Sequence, residues 1–124
     1  MKTCTKCGQF KALADFSAHP QKRDGLQSQC RKCQQDCFAA RAKEKRDWLQ
    51  AVKLDRGCED SECSGHPEDP VALDFDHVHG EKVASLSSMA GENKPWALLM
   101  AEVEKCDVVC ANCHRVRTAR RAGR

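Results

Sequence analysis

The chain contains no tyrosine, and its only aromatic residues are two Trp and four Phe, 5% of 124 residues. So small a supply excludes a large aromatic core, and something other than apolar packing must hold the fold together. It also leaves few rings for base stacking, so a nucleic-acid partner would be held by its backbone, with little sequence reading. Long apolar runs are missing as well. No stretch can span a bilayer, and the opening Met-Lys-Thr-Cys-Thr-Lys has no apolar run behind it. Neither a membrane partner nor a secretory signal is expected, and the expected compartment is the cytoplasm.

Cysteine is what the chain has in abundance, with 10 residues. In a reducing compartment, paired cysteines read as metal sites, whereas a disulfide scaffold belongs to secreted chains. Cys4 and Cys7 pair with Cys30 and Cys33, and Cys58 and Cys63 pair with Cys110 and Cys113, leaving Cys37 and Cys106 over. Four thiolates fill the tetrahedron that zinc prefers, so two structural Zn²⁺ sites are expected. Residues 1–37 read as a zinc ribbon too small to fold without its ion, with Phe10, Leu13, Phe16 and Leu26 capping the site and His19 in a turn. The wider Cys58/Cys63 spacing gains its meaning from the downstream knuckle. His66, beside Cys63, is expected in a turn and is the reserve ligand.

Charge is uneven although the net is only +3. Residues 1–57 carry +7, residues 58–114 carry −9, and residues 115–124 carry +5. Basic flanks around an acidic centre fit a chain whose ends grip phosphates while the middle binds cations. In the ribbon the charge comes from Lys6, Lys11, Lys22, Arg23, Arg31 and Lys32.

From Gln34 to about Arg56 glycine and proline are absent, which predicts a linking helix over 38–56 with Phe38, Ala42, Leu49 and Val52 on one apolar stripe. Gly57 should end it. Val71, Leu73 and Phe75 then alternate with outward positions as a half-buried strand does, delivering Asp76 and His77 at its finish. Val78 to Lys82 should turn the chain into the return of a hairpin. Ser85 to Ala90 suggests a helical turn. Pro95 opens a helix in which Trp96, Leu99, Met100 and Val103 follow core spacing. From Asn112 a last helix should carry His114 near its start and Arg115, Arg117, Arg120 and Arg121 along it, before a basic tail at 119–124. Asp76, His77 and His114 together offer a carboxylate and two imidazoles, enough to hold one hard divalent ion and activate one water. His79 is a second-rank candidate.

The Val-Ala-Leu-Asp-Phe-Asp-His-Val and Cys-Asp-Val-Val-Cys-Ala-Asn-Cys-His-Arg stretches resemble the HNH endonuclease family, in its zinc-stapled phage and bacterial branch, over Gly57 to Thr118. The resemblance implies an α+β, zinc-stabilised ββα-metal nuclease module at 57–118, with His77 as general base and Asp76 and His114 as ligands of a catalytic Mg²⁺ or similar ion. It further implies DNA as partner, with Lys82, Arg115, Arg117, Arg120 and Arg121 against it, and a phage setting in which packaging machinery would be the protein partner. The family's middle Asn falls near Lys105 or Cys106, neither of which carries an amide's paired donor and acceptor, so the loop after the first strand is expected to lack that brace. The N-terminal Cys-x-x-Cys-Gly is similar to that of phage proteins resembling endonuclease VII, which makes a junction resolvase one alternative. A non-catalytic two-zinc DNA-binding protein is the other.

Overall fold

The computed structural model describes residues 1–65 and 67–123, and the expectations for His66 and Arg124 lie outside them. The chain is a small α+β protein with two antiparallel two-stranded sheets and four helices. It divides into two compact units, Met1–Arg41 and Ala42–Arg124.

In the first unit β1 (Lys2–Thr3) pairs with β2 (Phe10–Lys11), bringing Thr3 opposite Phe10. The turn between them closes through the Gly8 amide, which donates to the Cys4 carbonyl at 2.9 Å. Gly8 adopts φ 73°, a conformation that costs glycine least. The His19 amide donates to the Gly25 carbonyl, so His19 does lie in a turn. Of the four apolar residues expected over the first knuckles, Phe16 is buried beside Cys4 and Cys30 and Leu26 packs against them, but Phe10 and Leu13 face solvent. The sulfur atoms themselves form the centre of this unit, so little apolar area is needed.

Helix α1 spans Arg31–Arg56 and begins earlier than its composition suggested, within the second knuckle. The Gln34 amide donates to the Cys30 carbonyl at 3.0 Å, which places Cys33 in the first turn. Gly57, at φ 62°, stops the helix with its amide on the Lys53 carbonyl, as a left-handed cap does.

In the second unit β3 (Leu73–His77) pairs antiparallel with β4 (Cys106–Cys110), in a register that puts Leu73 opposite Cys110 and His77 opposite Cys106. The expected immediate hairpin return after His77 is corrected here. The Val78 and His79 amides both donate to the Lys105 carbonyl, which ends the ladder, and the chain makes α2 (Leu86–Gly91) and α3 (Trp96–Glu104) before β4 closes the sheet. Val71 is exposed in a 3₁₀ turn ahead of the strand, so the inward alternation starts at Leu73. Helix α4 (Ala111–Arg121) follows β4 without a loop and carries Arg115, Arg117, Arg120 and Arg121 as expected, running into the 119–124 segment that was expected as a basic tail.

The core gathers Leu49, Leu86, Met89, Ala90, Leu99, Val103 and Cys106, with a second cluster of Leu73, Val108, Cys63 and Cys110. Met100 and Phe38 are half exposed rather than core, and Trp96 lies at the boundary. Two charged side chains on the helices are buried as well. Lys45 is buried on α1, donating to Asn93 Oδ1 at 2.6 Å with its ammonium 5.5 Å from the Trp96 ring, and Glu102 is buried on α3. No helix among the described residues is long and apolar enough to cross a membrane.

Candidate functional site

Both cysteine tetrads form. In Cys4, Cys7, Cys30 and Cys33, and again in Cys58, Cys63, Cys110 and Cys113, the four sulfurs lie within 4.8 Å of one another. A zinc tetrathiolate with arms of about 2.3 Å has sulfur-to-sulfur edges near ~3.8 Å. The Cys4–Cys33 and Cys63–Cys110 separations are both 3.8 Å, so the donor sets fit zinc in number, chemistry and spacing. No disulfide joins the ten cysteines, and Cys37 and Cys106 belong to neither group. Backbone amides already point at the sulfurs: Cys30 N–H donates to Cys4 Sγ at 3.3 Å and Cys110 N–H to Cys58 Sγ at 3.2 Å. Burial opposes ionisation of Cys4, but the amides of Cys7, Cys30 and Lys6 overcome it and hold the thiol down to about 6. Cys33 is pushed up to about 12, first by its contact with Cys30 and then by burial. Metal loading therefore has to release protons. Lys11 Nζ donates to Cys30 Sγ at 3.3 Å, a cation beside the tetrad that the sequence reading assigned to phosphate.

The second tetrad clamps the β4–α4 junction to the segment after α1. Cys110 is both the last residue of β4 and the N-cap of α4, its sulfur accepting from the Cys113 amide. That junction fixes where His114 emerges, in the first turn of α4, over the face of β3 that carries Asp74 and Asp76. His114 Nδ1 lies 3.2 Å from Asp74 Oδ2, while Nε2 is 3.6 Å from Asp76 Oδ1, beyond hydrogen-bond reach. An ionised carboxylate only accepts, so in the neutral ring Nδ1 carries the proton and the Nε2 lone pair faces Asp76. Two lone-pair atoms so placed call for a cation between or beside them. Asp74 is the carboxylate that orients the His114 ring, and the sequence reading did not single it out.

The positive charge at Asp76 comes from arginine. Arg121 makes a two-pronged contact to the buried carboxylate at 2.8 and 2.7 Å, and Arg117 Nη1 approaches it at 3.3 Å. The Arg121 hydrogen bond, opposed by burial and aided by Arg117, holds the Asp76 carboxyl below its usual range. Arg117 also binds Asp60 at 2.9 Å and Asp107 at 3.0 Å, so three carboxylates converge on one guanidinium. Two of the five cations expected against DNA are thus engaged inside the protein. Arg120 pairs with Glu62 where both are exposed, and Arg115 and Lys82 are exposed with no ion pair among the described residues.

His77 takes a different direction. Successive strand residues face opposite ways, and its Nε2 lies 3.0 Å from Glu102 Oε2 on α3, with no hydrogen bond or ion pair to Asp76 or His114 among the described residues. Asp76 and His114 are brought together, and His77 stands on the other face of the strand end. Glu102 is 2% exposed and also accepts from the Val83 amide at 3.0 Å and from Lys105 Nζ at 2.8 Å. Lys105 further donates to the Glu81 carbonyl at 2.8 Å, and its own carbonyl takes the Val78 and His79 amides. The loop that was expected to lack a brace is therefore braced at the expected position, by an ammonium and a carbonyl instead of an amide. His79 is exposed beyond the end of β3 and shares no strand face with His77.

Beside His114 an open groove of about 380 Å³ is lined by Asp74, Ala111, Arg115, Thr118 and Ala119. Asp60, Asp74, Glu102 and Asp107 were the acidic residues missed. The Asp-Phe-Asp alternation could have revealed Asp74, because residues two apart on a strand share a face. Compared with protein-family models, curated proteins and solved structures, the chain matches none.

Proposed function

We propose that this chain is a divalent-metal-dependent endonuclease of the HNH kind, hydrolysing DNA phosphodiester bonds with low sequence specificity. The observation that carries the reading is the convergence of Asp76 and His114 at 3.6 Å, with Asp74 turning the His114 Nε2 lone pair toward the shared space. A carboxylate oxygen and an imidazole nitrogen suit Mg²⁺, Mn²⁺ or a similar ion. When bound, such an ion supplies Lewis-acid stabilisation of charge on the scissile phosphate. Asp76 and His114 would hold it, Arg115 at the adjoining groove would meet the flanking phosphate, and His77 would take the proton from water as general base. The second tetrad would keep strand end and helix start in fixed relation.

A second reading has its own support. Arg117 and Arg121 already neutralise Asp76, as expected of a two-zinc DNA-binding module that needs no catalytic ion. Conversion of supercoiled plasmid to nicked or linear form separates the two. Zinc-loaded protein should cut with Mg²⁺ or Mn²⁺ and not with EDTA, and Asp76→Ala and His114→Ala should abolish cutting while leaving the tetrads loaded. Binding without metal-dependent cutting would establish the second reading instead.

A further inference from the structure

Among the described residues, Glu102 is the one acidic side chain both almost wholly buried and in contact with an imidazole outside the Asp76–His114 cluster. Its surroundings are fully assigned. Oε1 accepts from Lys105 Nζ, and Oε2 accepts from the Val83 amide at 3.0 Å and lies 3.0 Å from His77 Nε2. Two donors, one of them the Lys105 ammonium, favour the ionised carboxylate, which has no proton to give. The hydrogen bond to His77 can then run in one direction only, from Nε2–H to Oε2. In a neutral imidazole that leaves the lone pair on Nδ1, the nitrogen with no protein partner among the described residues.

We infer that Glu102 is a positioning residue that locks His77 in the Nε2–H tautomer, so that Nδ1 is the nitrogen available to accept a proton. Lys105 couples this lock to the loop after β3, since the same ammonium holds Glu102 Oε1 and the Glu81 carbonyl, each at 2.8 Å. The inference rests on the nuclease reading for its catalytic consequence, while the tautomer itself is a property of the folded chain.

The test is a long-range proton–nitrogen correlation spectrum of the ¹⁵N-labelled, zinc-loaded full chain at pH ~8, where imidazoles are ordinarily neutral, with His77 assigned through His77→Gln. It is paired with cleavage kinetics on a duplex oligonucleotide. His77 should show a protonated Nε2 and a bare Nδ1. Glu102→Ala should lose that preference and lower kcat about 10–100-fold with KM unchanged, the range for losing a residue that orients another. Glu102→Gln made together with Lys105→Met, so that the amide NH2 does not face an ammonium, keeps one oxygen that can accept from both Val83 and His77 and should restore the Nε2–H ring. A native ring protonated at Nδ1 overturns the inference, whatever the variants do. So does an alanine variant that keeps the tautomer or the native kcat. A native chain that shows the Nε2–H ring yet cuts no substrate with Mg²⁺ or Mn²⁺ overturns the nuclease reading and the catalytic consequence, and leaves the tautomer assignment standing.

Discussion

The register that sets Asp76 opposite Asp107 places two carboxylates face to face, which costs stability unless a cation lies between them. Arg117 is that cation, and its planar fork reaches Asp60 as well. Arg117→Ala would leave the buried Asp76 leaning on Arg121 alone. We expect a loss of about 1–3 kcal/mol, below the full cost of breaking a buried pair because Asp107 is partly exposed, read as a lower urea midpoint with unchanged slope. Arg117→Lys should recover little of it, because an ammonium cannot serve three carboxylates in one plane. The acid limb follows from the same groups. Burial pushes the Glu102 carboxyl up, but Lys105, the Val83 amide and His77 outweigh it and hold the group below the glutamate range. The Asp76 carboxyl is likewise depressed, chiefly by Arg121. A depressed folded value means stability fully present above the unfolded value and lost as pH falls through the folded one. Thermal melts should therefore be flat with respect to these two groups down to about pH 4.5 and fall below about pH 4.

At the scale of the element, the junction of β4 with α4 is held by Cys110 serving as strand end, helix cap and tetrad member at once. Cys113→Ser should lower zinc content by about one ion per chain and melt the strand–helix unit, seen as lost helical circular dichroism together with zinc released to a chromogenic chelator. Leu99→Ala, by contrast, should leave zinc bound and destabilise by about 2–5 kcal/mol through a core cavity, since Leu99 is fully buried. These elements were unequally legible in the sequence. The pairing of Asp76 with His114 was legible only through the resemblance, whereas the tetrads, the helix after the second knuckle and the helical turn from Ser85 could be read from ligand spacing and local periodicity. Strand β4 could not. Its Val108-Val109 pair lies between cysteines that dominate the pattern, and its partner is 29 residues or more away along the chain. That His77 faces away from Asp76 follows from strand alternation, but its partner does not. Only the placement of α3 brings Glu102 to it, and a glutamate near Glu104 at the end of an apolar helix looks like a solvated one.

Along the chain the flanks are basic and the centre acidic, and within the second unit part of the C-terminal charge neutralises that centre through Arg117 and Arg121. The charge free to meet a polyanion is smaller than the count suggests. On the proposed reading as a DNA-acting protein, Arg115→Ala should lower DNA affinity and reduce the slope of log affinity against log salt by about 1, as loss of one phosphate contact does, measured by fluorescence anisotropy from low to moderate salt. The edge-to-face pair of Trp48 and Trp96, 5.6 Å between centroids, has a consequence for observing any of this. Both indoles of the chain lie in the second unit, and no phenol competes with them for absorption or emission. Intrinsic emission is therefore a channel tuned to the second unit alone. A chelator that strips the N-terminal tetrad should leave the emission maximum where it was, and the shift to the red should come only when the second tetrad lets go.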